Sequence, residues 1–156
     1  MPSGKYFESS EFTLMFMIKC LSEKRDASIL ESRNNDRDKI LLVLNKDELG
    51  VWIDDSLIVS SEIDEYRWTH VTIKSEDGEV KIFRDSVEID TKLASFSHVE
   101  RSDNFIGCLT IENLCQQNLK SILDELKIFN RALSNKEIQN EMKNEEKQPY
   151  DILEMN

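Results

Sequence analysis

Carboxylates are the first residues in this chain whose type and spacing could do chemistry. Glu62-Ile63-Asp64-Glu65 and Glu88-Ile89-Asp90 alternate acids with an apolar residue, which puts two carboxylates on one face of a strand. Two carboxylates so placed are suited to acid–base work. A third acid stands in a different setting. Between Ile122 and Phe129, period-two alternation places Asp124 on the same side as Ile122, Leu126 and Ile128, an inward apolar face. A carboxylate there has to meet an Arg, cap backbone N–H groups or hold a metal ion, because an isolated buried charge is costly. The loop acids Asp54, Asp55 and Asp103 could add oxygens to a hard cation.

Trp52 lies two residues before Asp54, so it is a candidate sugar-stacking platform with Asp54 and Asp55 as binding residues beside it. Core or rim packing is the competing role for that indole. His70 shares its alternation with Trp68, which predicts a buried or half-buried strand histidine, and no Ser or Cys near it has a nucleophile setting. His98 belongs to no pattern. Cys20, Cys108 and Cys115 contain no Cys-x-x-Cys pair, so zinc is not expected and buried thiols are the plain reading. Cys108 and Cys115 could also face each other across a hairpin.

The elements that must carry these residues are strands. Phe12, Leu14, Phe16, Ile18 and Cys20 alternate along one buried face, and Lys39 to Asn45 is apolar on both faces, as a central strand would be. Val51-Trp52-Ile53 and Leu57-Ile58-Val59 flank the polar turn Asp54-Asp55-Ser56 as a short hairpin. Arg67 to Lys74 alternates again, Asp77-Gly78 before Val80 to Arg84 is a strong hairpin signal, and Val87-Glu88-Ile89 continues the meander. Helical signal appears once, late in the chain. Ser134-Asn135-Lys136-Glu137 is a capping box, Leu133 before it suits a hydrophobic staple, and Ile138 and Met142 lie four apart on one face. The pattern predicts an all-β, antiparallel β-sandwich with a short C-terminal helix; parallel α/β folds are excluded.

Size and charge narrow the functions. A chain of 156 residues suits one domain, here expected over 1–142 with a charged tail over 143–156. Twenty Lys and Arg against thirty-one Asp and Glu give a net charge of −11, which repels nucleic acid and anionic membrane surfaces. There is no apolar run of transmembrane length and no secretory or mitochondrial leader pattern, so no membrane insertion is expected. Three cysteines and the lack of an Asn-x-Ser/Thr sequon point to a reducing, cytoplasmic setting, and to the extracellular space only if the chain is a piece of a secreted protein. The acidic, Asn- and Lys-rich composition suits a cytoskeletal or ciliary assembly.

From Phe12 to Ile138 the residues resemble the laminin G-like and pentraxin-like jelly rolls of the concanavalin A-like superfamily. The resemblance is carried by Phe12-Thr-Leu-Met-Phe, Ile29-Leu-Glu-Ser, Trp68-Thr-His-Val-Thr-Ile, Asp77-Gly-Glu-Val-Lys-Ile-Phe-Arg-Asp, Asn104-Phe-Ile-Gly107 and above all Leu123-Asp-Glu-Leu-Lys-Ile-Phe-Asn-Arg-Ala-Leu-Ser-Asn-Lys-Glu-Ile138. It implies that the helix plugs one end of the sandwich. It also implies a further strand ahead of Phe12, for which Lys5-Tyr6-Phe7 is a stub, leaving one sheet edge bare for a neighbouring chain or a rearranged strand of this chain to cover. Ser86 stands where many relatives have Gly, so that turn must differ or be strained. Calcium-binding relatives use the Asp of the last strand, here Asp124, which makes calcium the one candidate cofactor. Laminarinase-type hydrolases need a Glu-x-Asp-x-Glu strand, and Tyr66 or Arg67 occupies the position of the second catalytic Glu. No enzyme is therefore expected. The leading expectation is a non-catalytic interaction or structural subunit that docks with other protein subunits of an intracellular assembly, through its exposed sheet edge, loops or tail. The alternative is a calcium-dependent lectin module that binds a glycan.

Overall fold

The computed structural model describes residues 10–21, 27–34, 37–45, 48–94, 96, 101, 103–111, 114–118 and 120–146. Twelve strands and one helix follow in order: β1 (Phe12–Cys20), β2 (Ala27–Asn34), β3 (Arg37–Asn45), β4 (Glu48–Ile53), β5 (Ser56–Glu62), β6 (Trp68–Glu76), β7 (Glu79–Arg84), β8 (Val87–Leu93), β9 (Asp103–Ile106), β10 (Cys108–Ile111), β11 (Leu114–Asn118), β12 (Ser121–Phe129) and α1 (Asn135–Glu146). One sheet has the order β12-β1-β6-β7-β8, the other β5-β4-β3-β2-β9, and β10 pairs with β11 as a separate hairpin. Every strand pairing is antiparallel. The predicted all-β sandwich with its C-terminal helix is what forms.

Period-two alternation explains the core. Phe12, Leu14, Phe16, Ile18 and Cys20 of β1, with Val71, Ile73, Val80 and Ile82 of β6 and β7 beside them, face Ile40, Leu42 and Leu44 of β3 and Leu49 and Val51 of β4 on the other sheet, all in one buried cluster. Phe96 closes it with its ring 4.9 Å from that of Phe12, edge to face. The turns behave as their residues dictate. Asp77 and Gly78 both take positive φ, at 51° and 74°, as the tight hairpin requires. Asp85 and Ser86 adopt the same left-handed pair at 49° and 63°, so the absence of Gly at Ser86 leaves the turn type intact and the strain in place. The stub expected at Lys5–Phe7 lies outside the described residues. Here β1 has neighbours on both sides, β12 and β6.

Two expectations are corrected. First, strict alternation along the last strand fails. Lys127 lies opposite Met15 while Asp124 lies opposite Met17, so three residues of β12 span two of β1. That is a bulge, with Glu125 in the left-handed region at φ 52°. Below it Leu123 packs on the core and above it Ile128 does, one odd and one even residue. Asp124 consequently falls on the outer face beside Met17 rather than inward. Second, the helix covers an outer face and does not plug an end. Leu133 and Ile138 form a second cluster with Met15, Phe83 and Phe129, and Met15 belongs to the row of β1 that points away from the inter-sheet core.

The approach to that helix is pinned from below. The Thr13 hydroxyl donates to the Arg131 carbonyl at 2.9 Å and accepts from the Leu133 N–H at 2.9 Å. The capping box then forms as predicted: the Glu137 N–H donates to Ser134 Oγ at 3.2 Å and the Ser134 N–H donates to Glu137 Oε2 at 2.8 Å. The helix runs on to Glu146 and so takes in the first residues of the segment 143–156.

Candidate functional site

β4 alternates Leu49, Val51 and Ile53 inward with Gly50 and Trp52 outward. Pairing carries that outward row across the second sheet. Trp52 lies opposite Leu41 of β3 and Leu57 of β5, and Gly50 lies opposite Val43 and Ser60. Leu41, Val43 and Trp52 are half-buried and Leu57 is 39% exposed, so this outer face presents an apolar surface with an indole at its centre. Gly50 is the floor beneath it. A Cβ there would lie 2.8 Å from Leu57 Cδ1 and 3.1 Å from Trp52 Nε1, so only Gly lets those two side chains fold down over the backbone.

The predicted binding residues meet on one hairpin. Trp52 occupies the face, and the exposed Asp54 and Asp55 form the β4–β5 tip. Asp54 has a structural task as well: its N–H donates to the Lys39 carbonyl at 2.8 Å and its Oδ1 accepts the Lys39 N–H at 2.9 Å, tying the tip to β3. Farther across the same sheet, charge closes on itself. Glu31 is fully buried, with Lys39 Nζ at 3.3 Å and Arg33 Nε at 3.8 Å, and the Arg33 guanidinium lies over Phe105 with 5.6 Å to the ring centre. Sequence reasoning missed this group, although Glu31 and Arg33 alternate on β2.

The other candidates separate. Glu62 ends β5 and is exposed, Ile63 enters the core, and Asp64 pairs with Arg67 at 3.4 Å, so the carboxylate alternation stops where the strand stops. Asp90 guards sheet edges: its Oδ2 accepts the Ser60 N–H at 3.1 Å and its Oδ1 accepts the Thr91 N–H at 2.9 Å. Asp124 accepts the N–H of Glu125 at 2.8 Å, a local bond that supports the bulge. Asp103 lies 4.0 Å from Arg33. Among the described residues no three His, Cys, Asp or Glu side chains gather as a metal site. The backbone register sets Cys115 opposite Thr110 and Cys108 opposite Asn118, so the two cysteines are not directly opposed. His98 lies outside the described residues.

His70 is buried, as expected, on the outer face under α1. Its Nε2 lies 3.2 Å from Glu145 Oε2, and Lys127 Nζ reaches Glu145 Oε1 at 3.1 Å and Glu141 Oε2 at 2.9 Å. Burial pushes the Glu145 carboxyl up, but His70 and Lys127 outweigh it and hold it below the usual carboxylate range. Burial likewise opposes the charge on Lys127, and its two glutamates raise it above the ordinary lysine value. Cys20 is buried between the sheets, which pushes its thiol up and away from thiolate chemistry.

A family model described as Concanavalin A-like lectin/glucanases superfamily (Laminin_G_3) matches residues 1–139. A search of the curated proteins found no match. Among solved structures, domain 4 of AbnA, a GH43 extracellular arabinanase from Geobacillus stearothermophilus in complex with arabinotriose, is similar with a TM-score of 0.71 at 17% identity, over 90% of this chain and 69% of that one. A botulinum neurotoxin type C structure, described with cell entry dependent on two ganglioside molecules, has a TM-score of 0.68 at 20% identity over 86% of this chain. The binding domain of botulinum neurotoxin DC, in complex with rat synaptotagmin II, has a TM-score of 0.67 at 18% identity over 86% of this chain. The chain spans 36% of each of these two toxin chains. At these identities the likeness is one of fold. Among the described residues no helix is long and apolar enough to cross a membrane.

Proposed function

Since the chain belongs to the concanavalin A-like lectin/glucanases superfamily through its Laminin_G_3 match, we propose that it is a non-catalytic recognition module that binds a protein partner on the outer face of its second sheet. The observation that carries this reading is Trp52 lying across Gly50, with Leu41, Val43 and Leu57 around it. An aromatic centre with few charges and a polar rim is the composition of a protein interface core. Two of the carboxylates that could have served hydrolysis are engaged elsewhere. Asp64 pairs with Arg67 and Asp90 holds sheet edges.

A second reading, a glycan module, is favoured by the same indole. Trp52 could stack on a sugar ring while Asp54 and Asp55 at the tip accept hydroxyl hydrogen bonds, and an arabinotriose complex is on record for the similar domain 4 of AbnA. Calcium, as the cofactor of a lectin, would need a site of its own at Asp124, which lies on the outer face of the sheet opposite that of Trp52.

The experiment places a photo-reactive cross-linker at Leu57, and separately at Lys92 as a control, in cells of the source. The Leu57 probe is expected to trap one recurrent protein that the Lys92 probe does not, and Trp52→Ala is expected to abolish the trap. No Leu57-specific product, together with Trp52-dependent binding of a soluble oligosaccharide, would overturn the protein reading and establish the glycan one. A calcium-dependent rise in Tm that Asp124→Asn removes would identify the lectin by mass action.

A further inference from the structure

Acids stand at both ends of the face that carries Trp52. Along β4 the outward row runs Glu48, Gly50 and Trp52, and the exposed Asp54–Asp55 tip follows, so strand rise sets Glu48 and the tip about 20 Å apart with the indole between them. Glu48 lies directly opposite Glu62 of β5, and both are exposed. On the first sheet, acids are matched to cations: Lys74 lies 3.0 Å from Glu76, Lys81 lies 3.4 Å from both Glu79 and Glu88, and Lys127 lies 2.9 Å from Glu141. Around Trp52 that matching fails. Among the described residues no cation pairs with the side chain of Glu48, Asp55 or Glu62. Lys39 gives the tip its backbone N–H but sends its ammonium to Glu31 at 3.3 Å, and Arg84 donates to the Glu62 carbonyl at 2.9 Å instead of pairing with its carboxylate. The half-buried Trp52 indole N–H likewise meets no acceptor among the described residues.

We propose that the occupant of this face is an extended, basic segment of the partner protein, laid along β4, with a Lys or Arg at each end of an apolar centre. The inference rests on the protein reading above and names the chemistry of the segment that reading requires. Spacing sets its length. An extended stretch of about seven residues spans the same roughly 20 Å that separates Glu48 from the tip. Alternation then turns every second side chain toward the sheet: a cation over Glu48 and Glu62, apolar groups over Gly50, Leu57 and Trp52, and a cation over Asp54 and Asp55. Acids at both ends accept the segment in either direction. The indole N–H can donate to one of its backbone carbonyls. Burial fixes the place as well, since the fully buried Glu31 beside Leu41 closes the β2 side, while exposure rises through Trp52 to Leu57 at the β5 edge. The net charge of −11 attracts any basic chain from a distance, and the unmatched acids around an aromatic centre select this face for it.

The test presents the full chain to a phage-displayed heptapeptide library, with Trp52→Ala used for counter-selection and far-UV circular dichroism to confirm that each variant keeps the sandwich. Peptides that need Trp52 are expected to carry Lys or Arg at their first and last positions. For a synthetic peptide so selected, Glu48→Gln with Glu62→Gln, and separately Asp55→Asn, are each expected to weaken binding about fivefold at low salt, the Coulomb value of one exposed pair. Salt at about 1 M, where the screening length is about 3 Å, is expected to erase those differences. Trp52-dependent peptides without enriched cations, or with affinities that the acid substitutions do not move, overturn the basic-segment inference and leave the protein reading intact. Basic peptides that bind Trp52→Ala as tightly as the parent overturn it too, because they follow charge alone. A library that yields no Trp52-dependent peptide also overturns it, and the Leu57 cross-link then decides separately whether the protein reading falls.

Discussion

Replacing Thr13 by Val tests how α1 is held to the sheet. Thr13 is fully buried on the outer face of β1, and its one hydroxyl both donates to the Arg131 carbonyl and accepts the Leu133 N–H. Valine keeps the shape and removes both bonds. The Leu133 N–H is then stranded in a buried setting, at a cost of about 1–3 kcal/mol, whereas the carbonyl of exposed Arg131 can turn to water for about 0.5 kcal/mol. The added methyl returns about 0.8 kcal/mol of apolar burial, so the net loss is about 0.7–2.7 kcal/mol. With a urea m-value of about 1.5 kcal/mol/M, the unfolding midpoint should fall by about 0.5–1.8 M. Thr13→Ser keeps the hydroxyl and should lose only about 1 kcal/mol for the missing methyl. Amide exchange should rise across residues 133–146 more than in the core strands β6 and β7. A Thr13→Val midpoint equal to or above that of the parent would refute the assignment of this hydroxyl as the tether.

Ser86→Gly should raise stability by about 0.5–1 kcal/mol in chemical denaturation, since Ser86 already holds φ 63° and Gly takes that conformation without strain; a loss would mean that the Ser86 side chain has a task of its own. Asp90→Ala frees the Ser60 and Thr91 N–H groups at two sheet edges, and should cost about 1–2 kcal/mol and produce concentration-dependent association in light scattering. Monodisperse behaviour at all concentrations would contradict the edge-guard role. The Arg131 guanidinium, with the Ser134 N–H, holds the Glu137 carboxyl down at about 2 from 4.5, and Glu145 is lowered as well. Both folded values lie below the unfolded ones, so their stabilisation is complete above the unfolded carboxyl range and is lost on acidification, that of Glu137 as pH falls from about 4.5 through 2. Thermal midpoints should drop across that window, and Glu137→Gln should flatten the drop; parallel curves for parent and variant would refute it.

Most of the architecture was legible in the chain because it rests on local periodicity. The β1 alternation, the Asp77-Gly78 turn and the Ser134–Glu137 box each specify backbone geometry within a few residues, and each forms as read. The candidate site was legible in part. Trp52 and the Asp54–Asp55 tip belong to one hairpin, and a hairpin keeps near neighbours together. Leu41, Val43 and Gly50 around the indole were not legible, because which outward residues adjoin depends on the register between strands.

Three features were decided only by tertiary structure. The β12 bulge opposite Met15 and Met17 turned Asp124 outward, and a one-residue slip of that kind reverses every later side chain without leaving a mark in composition. The placement of α1 on the outer face followed from Leu133 and Ile138 finding Met15 and Phe83, residues fifty or more positions away in sequence. The cluster of His70, Glu145 and Lys127 joins three elements whose separate patterns announce only a strand histidine, a polar helix and a half-polar strand. The amino-acid sequence by itself determined the family, the strands, the turns and the cap, since those arise from each segment's own backbone and side-chain preferences. Which faces those segments share, and so which side chains meet, was decided by packing between segments distant in the chain.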